Sequence, residues 1–329
     1  MTSLHDVARI AGVSKSTVSR VMNNEYGVKP STKAKVLEAV QACDYVVNQV
    51  AKDLKSQRTN LVGVIVPRVS SHATAQGVDG LTQIIEDAGK HVLLANTHQL
   101  HQKELDYIQI FNQKRVEGII FYATHLDKHL VQAIQGSAVP VVLVGQDGSM
   151  YDIPSVVHDD VRVGFEAGNR LVQAGCKHIG FIGVQSDDIA VDTLRSDGLR
   201  QALNMQNQRL EFHERGDFSL ESGYRLAKEI ATAYPNMDGL FCATDRLAVG
   251  AIKGLLEMGV AVGDTVKVLG VGNDELGHVS TPSLSTFRYL FEKAGENAAK
   301  MLLSRIEGQG QEMSKVVLTF ERITRQTCE

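Results

Sequence analysis

From Leu61 onward the chain alternates short, continuous runs of Val, Ile and Leu with amphipathic segments of ten or more residues. The runs Leu61–Val66, His91–Ala95, Gly118–Phe121, Val139–Val144, His178–Ile182, Gly239–Cys242 and Val266–Val271 are apolar on both faces. Each therefore needs cover from above and below. The segments Thr74–Ala88, Lys103–Asn112, Val161–Ala174, Glu221–Ala233 and Arg246–Met258 have apolar residues at helical spacing. Strand alternating with helix demands parallel sheets flanked by helices. The 269 residues from Leu61 onward exceed what one such open sheet usually holds, so two α/β lobes are expected.

The first sixty residues have a different texture. They hold nine Lys and Arg against five acidic residues, whereas the rest holds 25 against 33. A basic head on an acidic body points to a polyanion as the partner of the head alone. With 43% hydrophobic and 22% charged residues, disorder and fibrous repeats are excluded. No apolar run approaches the roughly eighteen residues of a membrane span. His5, Asp6 and Arg9 stand where a signal peptide would have its apolar core, so a cytoplasmic location is expected. Cys43, Cys176, Cys242 and Cys328 are scattered without a CxxC pair and are expected to be buried or idle thiols.

Within the head, Ser3 and Asp6 have capping-box spacing over a helix Leu4–Ile10, which Gly12 ends. Ser14 caps a second helix, Lys15–Asn23, with Val18, Val21 and Met22 on one face. Pro30 and Ser31 open a third, with Val36, Leu37 and Val40 on its inner face. Small Ala8, turn-forming Gly12 and plugging Val13 let the first two helices cross tightly. The second helix then presents Lys15, Ser16, Thr17, Ser19 and Arg20, hydroxyls and long cations suited to a DNA major groove.

The stretch Ser3 to Val21, reading SLHDVARIAGVSKSTVSRV, closely resembles the N-terminal signature of the LacI/GalR family of bacterial repressors. Tyr45 to Leu54 resembles that family's hinge helix, and the body resembles its two-lobed, periplasmic-binding-protein-like core. Val62 to His72, Val144 to Met150 and Gly216 to Tyr224 look closest to sucrose-operon repressors. The resemblance implies a head over 1–58 with a hinge helix at 48–55. It also implies an N-terminal lobe over 59–157 and 288–318, and a C-terminal lobe over 158–287 and 319–329. By the same likeness Lys15, Ser16 and Arg20 read base edges, while Ser14, Thr17, Ser19, Asn23 and Tyr45 hold phosphates, with Ser3 and Leu4 beside them. Asn48 caps the hinge, Ala51 and Leu54 lie on its inner face, and Leu54 wedges into the minor groove. Val47 and Lys52 depart from the usual proline and arginine there.

The effector contacts implied by the resemblance are Ser71, His72, Gln146, Asp147, His158, Arg195, Phe218, Asp245 and Asn273. Most fall at or just beyond the carboxyl ends of the expected strands, where open α/β sheets bind ligands. Arg195 offers a planar guanidinium able to donate to two neighbouring hydroxyls. Gly145 and the run Gly270-Val271-Gly272-Asn273 lack side chains that many members carry, which leaves room for a disaccharide or moves hydrogen bonds to the neighbours. The implied function is a sugar-responsive repressor that binds a pseudo-palindromic operator as a homodimer and releases it on binding sucrose or a derived sugar such as fructose. No heptad tail follows Val316–Phe320, consistent with a dimer. A repressor for trehalose or a β-glucoside is the nearest alternative. A sugar-binding protein or a sugar-metabolising enzyme without DNA function is more distant. Nothing assembles into a nucleophile, base and oxyanion donor, and the glycines at 270–277 miss the GxGxxG spacing. No cofactor or metal is expected: His98/His101 and His125/His129 have helical spacing but no evident third ligand.

Overall fold

The computed structural model describes residues 3–23, 25–45, 59–185, 188–308 and 314–329. The chain divides into two compact units, Met1–Thr59 and Asn60–Glu329. The hinge positions Asn48, Ala51 and Leu54 lie outside the described residues.

In the head, α-helices span Leu4–Ala11, Lys15–Met22 and Pro30–Ala42. Ser3 and Asp6 form the reciprocal capping box, and Gly12 ends the first helix in the left-handed region at φ 63°. Val13 N–H donates to the Ala8 carbonyl at 3.0 Å, closing the turn. Val7, Ala8, Val18, Val21, Val36 and Ala39 form the core. The third helix differs from expectation: Leu37 is 44% exposed, and Ala39 takes the inner position instead. Helical geometry explains this, since Val36, Ala39 and Val40 lie on one face while Leu37 is turned about 100° away.

The body holds twelve strands among the described residues, β1 Leu61–Val66, β2 His91–Asn96, β3 Gly118–Tyr122, β4 Val141–Val144, β5 Ser155–His158, β6 Ile179–Val184, β7 Phe212–Gly216, β8 Gly239–Cys242, β9 Lys267–Val271, β10 Ser285–Tyr289, β11 Lys315–Leu318 and β12 Phe320–Ile323. They form two six-stranded sheets, ordered β11-β5-β4-β3-β1-β2 and β12-β10-β9-β8-β6-β7. Every pairing is parallel except β10 with β12. The expected continuous strand Val316–Phe320 is two short strands in different sheets, parted at Thr319.

The chain crosses between lobes three times. It leaves the first sheet after β5 at Asp159, returns after β10 at Leu290, and leaves again at Thr319. Helix Phe291–Ile306 accordingly packs against β3, β4 and β5 and against helix His72–Asp87 of the first lobe. In the second lobe, helices Asp160–Gln173 and Arg195–Met205 approach so closely that a Cβ on Gly164 would stand 1.9 Å from the Arg195 carbonyl oxygen. Glycine is required there by contact, not by conformation. Strand β7 lies at a sheet edge with partly exposed side chains, which accounts for its polar sequence.

Candidate nucleic-acid interface and effector cleft

On the head, Ser14, Lys15, Ser16, Arg20 and Asn23 are exposed, and Thr17 and Ser19 are half-buried. Ser14 Oγ accepts from the Thr17 N–H at 3.1 Å and lies 2.8 Å from both Ser16 Oγ and Thr17 Oγ1. The cap thus gathers hydroxyls at a helix N-terminus, where an anion is favoured. Ser3 is exposed. Leu4 and Tyr45 pack against the head core, so their side chains serve packing at least as much as contact.

In the body, the loops beyond the carboxyl ends of both sheets converge on one cleft between the lobes. An outer cavity of about 440 Å³ is continuous in its lining with an inner one of about 140 Å³, sharing Arg68, Ser71, Arg195, Phe218 and Phe291. Ser71 and His72 come from the start of helix His72–Asp87. Gln146 follows β4, Phe218 follows β7, and Asp245 opens helix Asp245–Glu257. His158, the last residue of β5, completes the set that the structure brings together.

Two expected contacts stand outside the lining. Asp147 is bound by Lys315 Nζ at 2.5 Å and accepts from the Ser149 N–H and hydroxyl. Asn273 is held in the left-handed region at φ 57°, its Oδ1 accepting from Arg325 Nη2 at 2.7 Å. Gly145 and Gly272, both at positive φ, border the inner and outer cavities respectively, where a side chain would narrow the space.

Arg195 is the structural hub. Its Nε donates to Asp160 Oδ1 at 2.7 Å and its Nη1 to the Ala243 carbonyl, and its guanidinium lies 5.1 Å from the Tyr289 ring centroid. Tyr289 Oη donates to the same Asp160 oxygen at 2.7 Å. His158 stacks on Tyr289 at 4.3 Å, nearly parallel, and meets Phe291 edge-on. Burial, then the Arg195 charge, pushes His158 down to about 3, so its ring is a neutral imidazole. Asp188 accepts from Gln146 Nε2 and the Val191 N–H, and burial pushes it up to about 6. Asp245 accepts from Thr286 Oγ1 and the Asp274 N–H; burial pushes it, too, up to about 6.

Seven buried side-chain polar atoms lack a partner among the described residues, and four of them, Arg68 Nε, His72 Nε2, Tyr122 Oη and His158 Nε2, belong to residues lining this cleft. Buried polar groups are nearly always satisfied by protein or ordered water, so their concentration here leaves donors and acceptors for water or a polar ligand to meet. Elsewhere, His101 is spanned by Glu104 and Asp127, and no group of three or more side chains among the described residues suits a metal ion.

The sequence profile of bacterial regulatory proteins, lacI family, matches residues 3–48, and that of the periplasmic binding protein-like domain matches residues 169–328. The sucrose operon repressor of Staphylococcus xylosus is 34% identical over 94% of this chain and 95% of its own length. The chain belongs to the lacI family.

As a lacI-family member it is a DNA-binding transcriptional repressor with a periplasmic-binding-protein-like effector domain, and not an enzyme. Among solved structures, the lac repressor dimer bound to operator and the anti-inducer ONPF superposes with a TM-score of 0.92 at 24% identity over 99% of each chain, a likeness of fold. The CelR–cellobiose complex matches with a TM-score of 0.75 at 26% identity, over 99% of this chain and 100% of that one. Among the described residues no helix is long and apolar enough to cross a membrane. For this lacI-family chain, the sequence reading omitted Arg68, Tyr122, Asp160, Asp188, Tyr289 and Phe291 from the cleft. Asp160 and Phe291 carry a readable signal, since each opens a helix directly after a crossing between lobes.

Proposed function

We propose that the protein represses a sugar-utilisation operon, binding a pseudo-palindromic operator as a homodimer in the cytoplasm and releasing it when sucrose, or a derived sugar such as fructose, occupies the cleft. The observation that carries this reading is the ring of unpartnered donors and acceptors from Arg68, His72, Tyr122 and His158, set beside the faces of Phe218 and Phe291. A sugar supplies hydroxyls for the first and C–H faces for the second. The Staphylococcus xylosus relative, a sucrose operon repressor, and the cellobiose complex of a structural relative support a saccharide over other effectors.

Lys15, Ser16 and Arg20 read base edges; Ser14, Thr17, Ser19 and Asn23 hold phosphates. Ser71, His72, Gln146, His158, Arg195, Phe218 and Asp245 form the effector contacts. Release requires only that the sugar prefer the lobe arrangement that binds operator poorly.

The test is thermal-shift screening of the full chain with sucrose, fructose, glucose, trehalose, maltose and cellobiose, followed by electrophoretic shift on operator DNA. A bound effector stabilises with the logarithm of its concentration over Kd. Stabilisation by sucrose or fructose, with operator release, is the expected result. Stabilisation by trehalose or a β-glucoside alone reassigns the operon, and operator binding that no sugar alters overturns the reading.

A further inference from the structure

Asn60, Lys90 and Glu117 immediately precede β1, β2 and β3 respectively, and those strands are neighbours in the order β3-β1-β2. The three residues therefore stand side by side at the amino ends of the first sheet, the end opposite the cleft. Asn60, the middle one, is also the first residue of the body. Lys90 Nζ and Glu117 Oε2 meet at 2.6 Å, with only 11% and 9% of their side chains exposed. The other carboxylate oxygen, Oε1, accepts from the Asn60 backbone N–H at 2.8 Å. The Asn60 carbonyl accepts from the His91 N–H at 2.8 Å, and the Glu117 N–H donates to the Leu61 carbonyl at 2.7 Å.

The chain is thus gripped from both sides just where it enters the body. Asn60 is held there in the left-handed region at φ 53°, a conformation that asparagine tolerates better than most residues. A buried ion pair is a poor source of stability, because desolvating the two charges consumes most of their attraction. Ladder hydrogen bonds already hold β1 from Leu61 onward. What the pair adds is a fixed carboxylate, and with it a fixed backbone direction at the residue before the strand.

We propose that Glu117, itself fixed by Lys90, is a positioning residue for operator recognition: it clamps Asn60 and so sets the direction in which the chain leaves the body for the linker and head. This rests on the reading of a dimer whose two heads engage one pseudo-palindromic operator. Heads joined through firm junctions present each other to the DNA at a high effective concentration. A slack junction spreads each head over more space and lowers that concentration.

Fluorescence anisotropy of the full chain tests this with two duplexes, a pseudo-palindrome selected by the unaltered chain from a random pool and one half-site of it. Lys90→Met with Glu117→Leu removes both charges at similar volume and takes the acceptor from the Asn60 N–H. Lys90→Met with Glu117→Gln also removes both charges, but its amide oxygen still accepts from Asn60. Uncharged replacement of a buried ion pair is often neutral, so both double variants are expected to melt within about 4 °C of the unaltered chain. The leucine variant is expected to bind the palindrome about 10-fold more weakly, part of the ~10²-fold gain from linking two heads, with half-site affinity unchanged. The glutamine variant is expected to restore palindrome affinity. Asn60→Pro removes the same donor from the other side and forbids the left-handed backbone, so it is expected to show the same loss and keeps the test valid if the leucine variant does not fold. Full palindrome affinity in the leucine variant, an equal loss on palindrome and half-site, or an equal loss in both double variants overturns the clamp and leaves the dimeric reading intact. An unaltered chain that binds the half-site as tightly as the palindrome overturns the dimeric reading, and the clamp with it.

Discussion

His158 packs its ring against Tyr289 while its Nε2 has no partner, so packing and ligand contact are separable at this one residue. His158→Phe keeps a stacked ring and removes the acceptor. Sugar affinity is expected to fall about 10-fold with melting temperature nearly unchanged, as the loss of one hydrogen bond implies; titration beside thermal denaturation checks it. Asp188 offers a pH signature. Its pKa stands at about 6 in the fold against 3.8 ordinarily, so the folded protein holds this proton longer than the unfolded chain. Its contribution therefore favours the fold most below pH 4 and is lost as pH rises to 6. Asp188→Asn keeps the acceptor for Val191 and is expected to flatten the fall in melting temperature between pH 4 and 6; an unchanged slope removes Asp188 as its source. Much at this scale was legible. Ser3, Asp6, Gly12 and Ser14 announce themselves because caps and left-handed turns are local chemistry. Arg68 did not, because its meaning depends on Phe218, which lies some 150 positions further along the chain.

At the scale of elements, the cleft depends on helix contacts remote from any ligand. Arg195 opens its helix straight after a π-helical turn at Ile189–Leu194, and Asp192 of that turn is anchored by His213 and Arg215 of β7. The other anchor is the close approach at Gly164. Gly164→Ala is expected to push the Arg195 backbone away, costing about 1–3 kcal/mol of stability and weakening effector binding although residue 164 touches no ligand. Denaturant unfolding and titration measure the two effects; retention of full effector affinity would disconnect this contact from the cleft. The buried strands were plain in the sequence because unbroken Val and Ile runs have few other uses. Strands β5, β7 and β10 escaped notice: β5 is four residues long, β7 is an edge whose side chains are half in water, and β10, though buried, reads Ser-Thr-Phe-Arg-Tyr and not as a Val and Ile run. The break at Thr319 was invisible for a related reason: consecutive extended residues look alike whether or not they pair with the same sheet.

For the whole molecule, charge is divided by task. The first sixty residues carry the excess of cations, and the acidic remainder has no use for a nucleic-acid backbone. Operator affinity is therefore expected to fall steeply with salt, by about 10³-fold or more between 50 and 200 mM if six or more phosphates are contacted, while effector affinity for a neutral sugar stays flat. Filter binding and titration across that range test both; a shallow slope would mean that few phosphates are held.

The chain passes between its lobes at Asp159, Leu290 and Thr319. One strap would leave two bodies free to swing and twist; three side-by-side straps permit little beyond opening and closing about one line. The His158–Tyr289 stack sits where two of those straps begin, against that line. A ligand seated across the cleft would thereby bear on a single angle between the lobes.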